Sequence, residues 1–103
     1  MFKSLKLYSG ETLDLENTAA ILVDFGYKKQ EAVGAEGDFS RRGAILDIFP
    51  FTFELPIRVE LEFDKINSIK SFNPVDGSAL WEHKMALILP ARGETSNRER
   101  FCI

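Results

Sequence analysis

A chain of 103 residues fits one domain with a modest core, and 45% apolar against 28% charged residues is the composition of a globular protein, not of a disordered or membrane one. A formal charge of −3 argues against a general nucleic-acid binder, which needs a net basic surface to displace counterions from phosphates. The single cysteine, Cys102, can build neither an internal disulfide nor a cysteine metal cluster, no segment approaches the roughly 20 apolar residues of a membrane helix, and the first residues lack the apolar run of a signal peptide, so the expectation is a soluble, cytoplasmic, monomeric domain.

In chain order, a short extended piece over 5–8 leads through Ser9-Gly10 into one helix. Asp14 suits its N-cap, Glu16 suits the positive helix start, Leu15, Ala19, Leu22 and Val23 follow helical spacing, and Gly26 ends it. The period then changes to alternation. Residues 27–33 read as a weak or edge strand, 34–37 as a turn, and 39–49 as strand on both sides of Gly43, which lets the backbone bend just after Arg41 and Arg42. Residues 50–56 form a loop carrying Phe51 and Phe53.

The clearest strand is 57–63, with Ile57, Val59, Leu61 and Phe63 on one face and Arg58, Glu60 and Glu62 on the other. Asp64-Lys65 reads as a hairpin turn into a strand over 66–72. Asn73-Pro74 and Asp76-Gly77-Ser78 are turn chemistry, and 81–89 is expected as one last strand. The predicted fold class is α+β: one N-terminal helix packed on a mainly antiparallel sheet in a single domain over residues 1–90, followed by a polar tail or linker stump over 91–103.

Catalytic patterns are largely missing. His83 is the only histidine, and a triad would need it beside Ser or Cys and a carboxylate, which its neighbours Glu82 and Lys84 do not signal. One His and one Cys cannot supply the usual zinc set, and Gly34, Gly37 and Gly43 match neither a phosphate loop nor a dinucleotide fingerprint, so no metal or cofactor is expected. Asp47, inside an apolar strand, reads as facing outward or as satisfied by an arginine or a backbone donor. Phe39, Phe49, Phe63 and Phe72 fit core positions better than base-stacking ones, and no RNP-type string occurs.

The basic residues carry more. Lys28 and Lys29 follow a helix end, where the dipole favours cations, so structural and binding roles weigh about equally. Arg41 and Arg42 alternate on a strand, so only one lies on a given face. Arg58 and Glu60 share a face two residues apart, and a salt bridge between them is the plain structural reading.

The ordered set Gly26-Tyr27, GDFSRRG over 37–43, ILDIFP over 45–50, PIRVE over 56–60 and SIKSFNP over 68–74 resembles the UvrB-homology module found in bacterial transcription-repair coupling factors and, in equivalent form, in UvrB. Phe72-Asn73-Pro74 and the closing Leu89-Pro90-Ala91-Arg92 favour the coupling-factor branch. The resemblance implies a docking module, not an enzyme. In that family the domain is the docking surface for UvrA, the damage-recognition ATPase, in nucleotide excision repair of DNA. The ATP-dependent motor that moves on DNA and displaces stalled RNA polymerase lies elsewhere in the parent protein.

Carried over residue by residue, the partner-binding positions implied are Lys29 (a Lys where Arg is usual), Arg42, Arg58 and Glu60. Ser40 stands where UvrB has Arg, with Arg41 beside it as a possible replacement. The segment Glu62-Phe63-Asp64-Lys65 departs from the family, which usually has an apolar residue, a small or acidic turn residue and then Asp-Glu. Two other classes compete with docking: a nucleic-acid-binding sheet, which the acidic balance disfavours, and an enzyme fragment, which the missing nucleophile and base disfavour.

Overall fold

The computed structural model describes residues 4–51 and 53–91. The elements are β1 (Leu5–Tyr8), α1 (Leu15–Asp24), β2 (Lys28–Lys29), β3 (Asp38–Arg42), β4 (Ile45–Ile48), β5 (Ile57–Glu62), β6 (Lys65–Phe72), β7 (Ala79–His83) and β8 (Met85–Ile88). Strands β2 to β7 form one six-stranded sheet in sequence order, antiparallel except where β2 meets β3, and β1 pairs with β8 in a separate two-stranded ribbon. This is the α+β arrangement expected from the sequence. Every adjacent pair from β3 to β7 is sequential, so short turns alone set the order.

The helix begins where the sequence places it. Asp14 has extended backbone angles, and its carboxylate accepts from the amides of Glu16 and Asn17, two of the donors a helix start leaves unpaired. Leu22 is fully buried, with Leu15, Ala19 and Ile21 half-buried beside it, whereas Val23 is 59% exposed and stands on the solvent side, one step off the buried stripe. Gly26 at φ +99° turns the chain after Phe25, a left-handed conformation that a branched side chain resists. We expect Asp14→Ala to cost about 1 kcal/mol and Gly26→Val at least as much. Thermal melts read both, and unchanged midpoints would rule out these two residues as the helix boundaries.

Three strand expectations need correction. The edge strand expected over 27–33 is only the two residues of β2: Gln30 still donates its amide to the Phe39 carbonyl, but beyond it the chain leaves the sheet edge and Glu31 lends its carbonyl to the Ser40 hydroxyl instead. The single strand expected over 81–89 is two strands belonging to different sheets, divided at Lys84. The turn after β5 is Phe63-Asp64, one residue earlier than expected, since Glu62 pairs with Lys65. Phe63 is therefore not a core residue. It sits at φ +61°, 93% exposed.

Leu46, Ile48, Ile57, Val59, Leu61, Ile69 and Phe39 form the buried inner face of the sheet, and they share one core with Leu22, Phe25 and Tyr27 around the helix and with Leu7, Ala86 and Ile88 from the ribbon. Helix and ribbon thus cover the same face. Tyr27 closes the core near the loop over 50–56: its hydroxyl donates to the Leu89 carbonyl (3.0 Å) and accepts from the Phe51 amide (3.2 Å), and its ring lies 4.7 Å from that of Phe51. Glycine is favoured at position 37 by its left-handed backbone, φ +91°, and a Cβ there would also crowd the Phe51 ring at 2.9 Å. No helix among the described residues is long and apolar enough to cross a membrane. Arg92, Cys102 and the polar tail beyond Ala91 lie outside the described residues.

Candidate functional site

The outer face of the sheet is built by strand alternation from the same residues that fill the core. With Leu46, Ile48, Ile57 and Val59 turned inward, Asp47, Arg58 and Glu60 must turn outward. Register then lines up Ser40, Asp47, Arg58, Lys70 and Glu82 across five strands, with Arg42, Ile45, Glu60 and Ser68 as the next row.

At the centre is an acid almost enclosed by its neighbours on the outer face. The Asp47 side chain is 5% exposed, and Arg58 engages it through two parallel hydrogen bonds, Nε to Oδ1 at 2.8 Å and Nη2 to Oδ2 at 3.0 Å. This is the bidentate fork that suits guanidinium to carboxylate. Arg58 is also stacked on the Phe72 ring, its Cζ 4.6 Å from the centroid. Its hydrogen bonds to Asp47 raise its pKa above the ordinary arginine value, burial opposing them and the charges of Asp47 and Glu60 reinforcing them. The guanidinium is held in one position before any partner arrives.

Arg42 is the free arm of the group. Its Nη2 lies 3.8 Å from Asp47 Oδ2, yet its side chain is 63% exposed, so most of its donors face water. Glu60 accepts from the Ser68 hydroxyl at 3.2 Å through one carboxylate oxygen. It does not bridge to Arg58 as the sequence suggested: among the described residues the ion pairs of this face are Arg58 with Asp47 and Arg42 with Asp47. The cross-strand acid is nearer the guanidinium than the acid two residues along the same strand, because adjacent strands are closer than successive same-face positions.

Of the five residues singled out from the sequence, Arg42, Arg58 and Glu60 share this face. Arg41 does not. It is in register with Leu46 and Val59, and it lines a cleft on the helix side with Leu13, Leu61 and the start of α1. Lys29 is in register with Phe39 on the edge strand, so it belongs with the inner row too, while Lys28 aligns with Asp38. The arginine that the sequence offered as one way to satisfy Asp47 is Arg58; the sequence missed two contributors, Phe72 as the ring beneath it and Lys70 beside it. Phe72 is buried as expected of an aromatic, but on the outer side of the sheet and outside the main core. Alternation along β6 could have placed Lys70 and Phe72 together; which acid meets Arg58 depends on inter-strand register, which no local pattern encodes.

The histidine also acquires a neighbour that the sequence hides. His83 Nε2 lies 2.6 Å from Ser71 Oγ, in a shallow cleft lined by Phe53, Glu54, Leu55 and Trp81. Ser71 is on β6 and His83 on β7, so the pair is a cross-strand hydrogen bond. No cluster of metal-ligating side chains occurs among the described residues.

Comparison with known proteins identifies the family. Residues 5–93 match the family model described as the UvrB interaction domain. The chain is 43% identical over 67 residues to the transcription-repair-coupling factor of Bacillus subtilis, an alignment covering 65% of this chain and 6% of that protein. With the transcription-repair-coupling factor of Borreliella burgdorferi it shares 43% identity over 75 residues, 73% of this chain and 6% of the relative. With UvrABC system protein B of Treponema denticola it shares 30% over 88 residues, 85% of this chain and 13% of the relative. The chain therefore spans only a small part of each of these proteins.

Proposed function

We propose, from the premise that this chain belongs to the UvrB interaction domain family, that its outer sheet face is a docking surface for UvrA in nucleotide excision repair. The observation that carries the reading is the convergence of Arg42, Arg58 and Glu60 on one rigid face, with Arg58 fixed by Asp47 and Phe72. A guanidinium already held in place loses little rotamer freedom on binding, and a fixed pattern of plus and minus selects a partner by orientation more than by bulk affinity.

On this reading residues 1–90 are the docking domain, residues 91–103 are a tail or the start of a linker, and the chain acts as a cytoplasmic monomer without catalysis of its own. Lys29 and Arg41, on the other side of the sheet, belong to the contact only if the partner wraps the edge. Higher identity to the coupling factors than to UvrB supports a module that brings UvrA to stalled RNA polymerase. The translocation on DNA that such a function needs would come from other parts of a longer polypeptide. A nucleic-acid-binding sheet is the weaker reading, because Asp47, Glu60 and Glu82 interrupt the basic residues along the face that phosphates would have to track.

The test is Arg42→Glu. The residue is largely exposed, so the fold should lose no more than the ~1 kcal/mol typical of a surface ion pair. UvrA binding measured by calorimetry should weaken by at least ~2–5 kcal/mol, the cost of disrupting an interfacial charge pair. Wild-type affinity in a folded Arg42→Glu domain would remove the outer face from the interface, and tight, salt-sensitive binding of duplex DNA would favour the nucleic-acid reading instead.

A further inference from the structure

We propose that Phe63, at the tip of the β5–β6 hairpin, is a second anchor of this interface, an aromatic knob that enters an apolar, basic-rimmed pocket of the protein docked on the outer face. The inference rests on the docking reading above and extends it to the tip of this hairpin.

Two local rules are broken at one residue. A phenylalanine at φ +61° occupies the left-handed region that glycine or asparagine fills at little cost, and the same side chain leaves 93% of its surface in water. Neither cost is recovered inside the domain, since the ring packs against nothing that buries it. Residues that break both a backbone and a burial rule without compensation in the fold are those to examine for binding.

The tip is also rigid. Leu13 N–H donates to the Asp64 carbonyl (2.7 Å), Ile66 N–H to the Glu11 carbonyl (2.8 Å) and Gly10 N–H to the Ile66 carbonyl (2.7 Å), so the segment before α1 clamps the turn and the start of β6. Phe63 thus stands as a ridge at the hairpin tip between two clefts, one on the helix side lined by Leu13, Leu15, Leu61 and Arg41 and the other lined by Ser9, Gly10 and Ile66, so a partner docked on the outer face reaches the ring by wrapping the tip. Holding an aromatic ring rigidly in solvent is what an interface anchor needs, because little side-chain entropy remains to be lost.

Position and charge identify the occupant. Phe63 is three residues beyond Glu60 along the chain, at most about 10 Å even if fully extended, which is within reach of an ordinary interface of ~800 Å² per partner centred on Arg58. The ring is flanked by exposed Glu62 and Asp64, with Lys65 opposite Glu62 as the single cation of the turn. An excess of acid around an apolar tip fits a pocket with a basic rim.

The test compares Phe63→Asn and Phe63→Tyr with Arg42→Glu, measuring UvrA affinity by calorimetry and the fold by thermal melt. Asparagine accepts the left-handed backbone, so the Phe63→Asn domain should melt at or above the wild-type temperature while binding UvrA roughly 30-fold more weakly, the loss typical of an interfacial aromatic hot spot. Phe63→Tyr should keep most of the affinity. Wild-type affinity in Phe63→Asn, with Arg42→Glu still impaired, overturns the anchor and leaves the docking face standing. A melting temperature several degrees below wild type in Phe63→Asn overturns it as well, because the ring would then be supporting the fold. A wild-type domain that fails to bind UvrA at all overturns the docking reading and the anchor with it.

Discussion

Arg58→Ala should destabilise the folded domain by about 3 kcal/mol, a larger loss than any other change to the outer face. The reason lies in the residue left behind. Asp47 is 5% exposed and receives both of its close hydrogen bonds from Arg58, so truncating the arginine strands a carboxylate in a site water barely reaches. Breaking a buried pair from one side typically costs 3–5 kcal/mol. The lower end applies here, because Arg58 keeps a quarter of its side-chain surface exposed and Arg42, 3.8 Å away, can close in on the orphaned acid.

Removing both charges tells the pair apart from its parts. Asp47→Leu combined with Arg58→Met should recover most of the stability, since a buried ion pair replaced by packed apolar groups is often near neutral. Urea unfolding of the single and double variants decides the matter. A loss below about 1 kcal/mol for Arg58→Ala would make the pair an ordinary surface contact. It follows that lost partner binding in Arg58 variants is uninterpretable without a stability measurement, and that Arg42 and Glu60 are the cleaner probes of the face.

Alkaline pH should unfold the domain through one tyrosine. Burial pushes the Tyr27 hydroxyl up from its ordinary value to about 12, with the Phe51 amide opposing and the charge of Glu36 assisting. A folded-state pKa above the unfolded one means that the native protein holds the proton more tightly. That contribution is complete below pH ~10 and is lost as pH rises through about 12. Two units correspond to roughly 3 kcal/mol.

Tyr27→Phe should remove this part of the alkaline slope. At neutral pH the same substitution leaves the Phe51 amide and the Leu89 carbonyl without their partner, which should cost ~1–3 kcal/mol. Denaturant unfolding of both proteins at pH 9 and near pH 11.5 provides the comparison. Parallel losses in the two would mean that Tyr27 does not carry the alkaline transition.

What was legible in the sequence was local. Asp14, the apolar stripe at Leu15, Ala19 and Leu22, and Gly26 define the helix because capping and helical period act within a few residues. The alternation at 57–62 gave β5 and its two faces for the same reason. The split of 81–88 between two sheets was hidden, because β8 is defined by Leu5–Tyr8, some eighty residues earlier, and not by anything near Lys84. Phe63 misled for a related reason: two-residue alternation carried one step too far assigns it to the core, and the turn that ends the strand contains no glycine to mark it. The site divides in the same way. Family motifs and alternation point to Arg42, Arg58 and Glu60, and an acid inside an apolar strand calls for an arginine or a backbone donor, whereas the choice of Arg58 for Asp47 and of Phe72 beneath it arises from pairing registers between β4, β5 and β6.

The ribbon of β1 and β8 holds the two ends of the described chain together. Leu5 pairs with Ile88, so these residues lie side by side at one end of an antiparallel pair. Past Ile88 the chain is fastened again, the Leu89 carbonyl accepting from the Tyr27 hydroxyl and the Ala91 amide donating to the Phe25 carbonyl. Both ends are therefore anchored on the helix side of the sheet, and neither crosses the face that carries Arg42, Arg58 and Glu60.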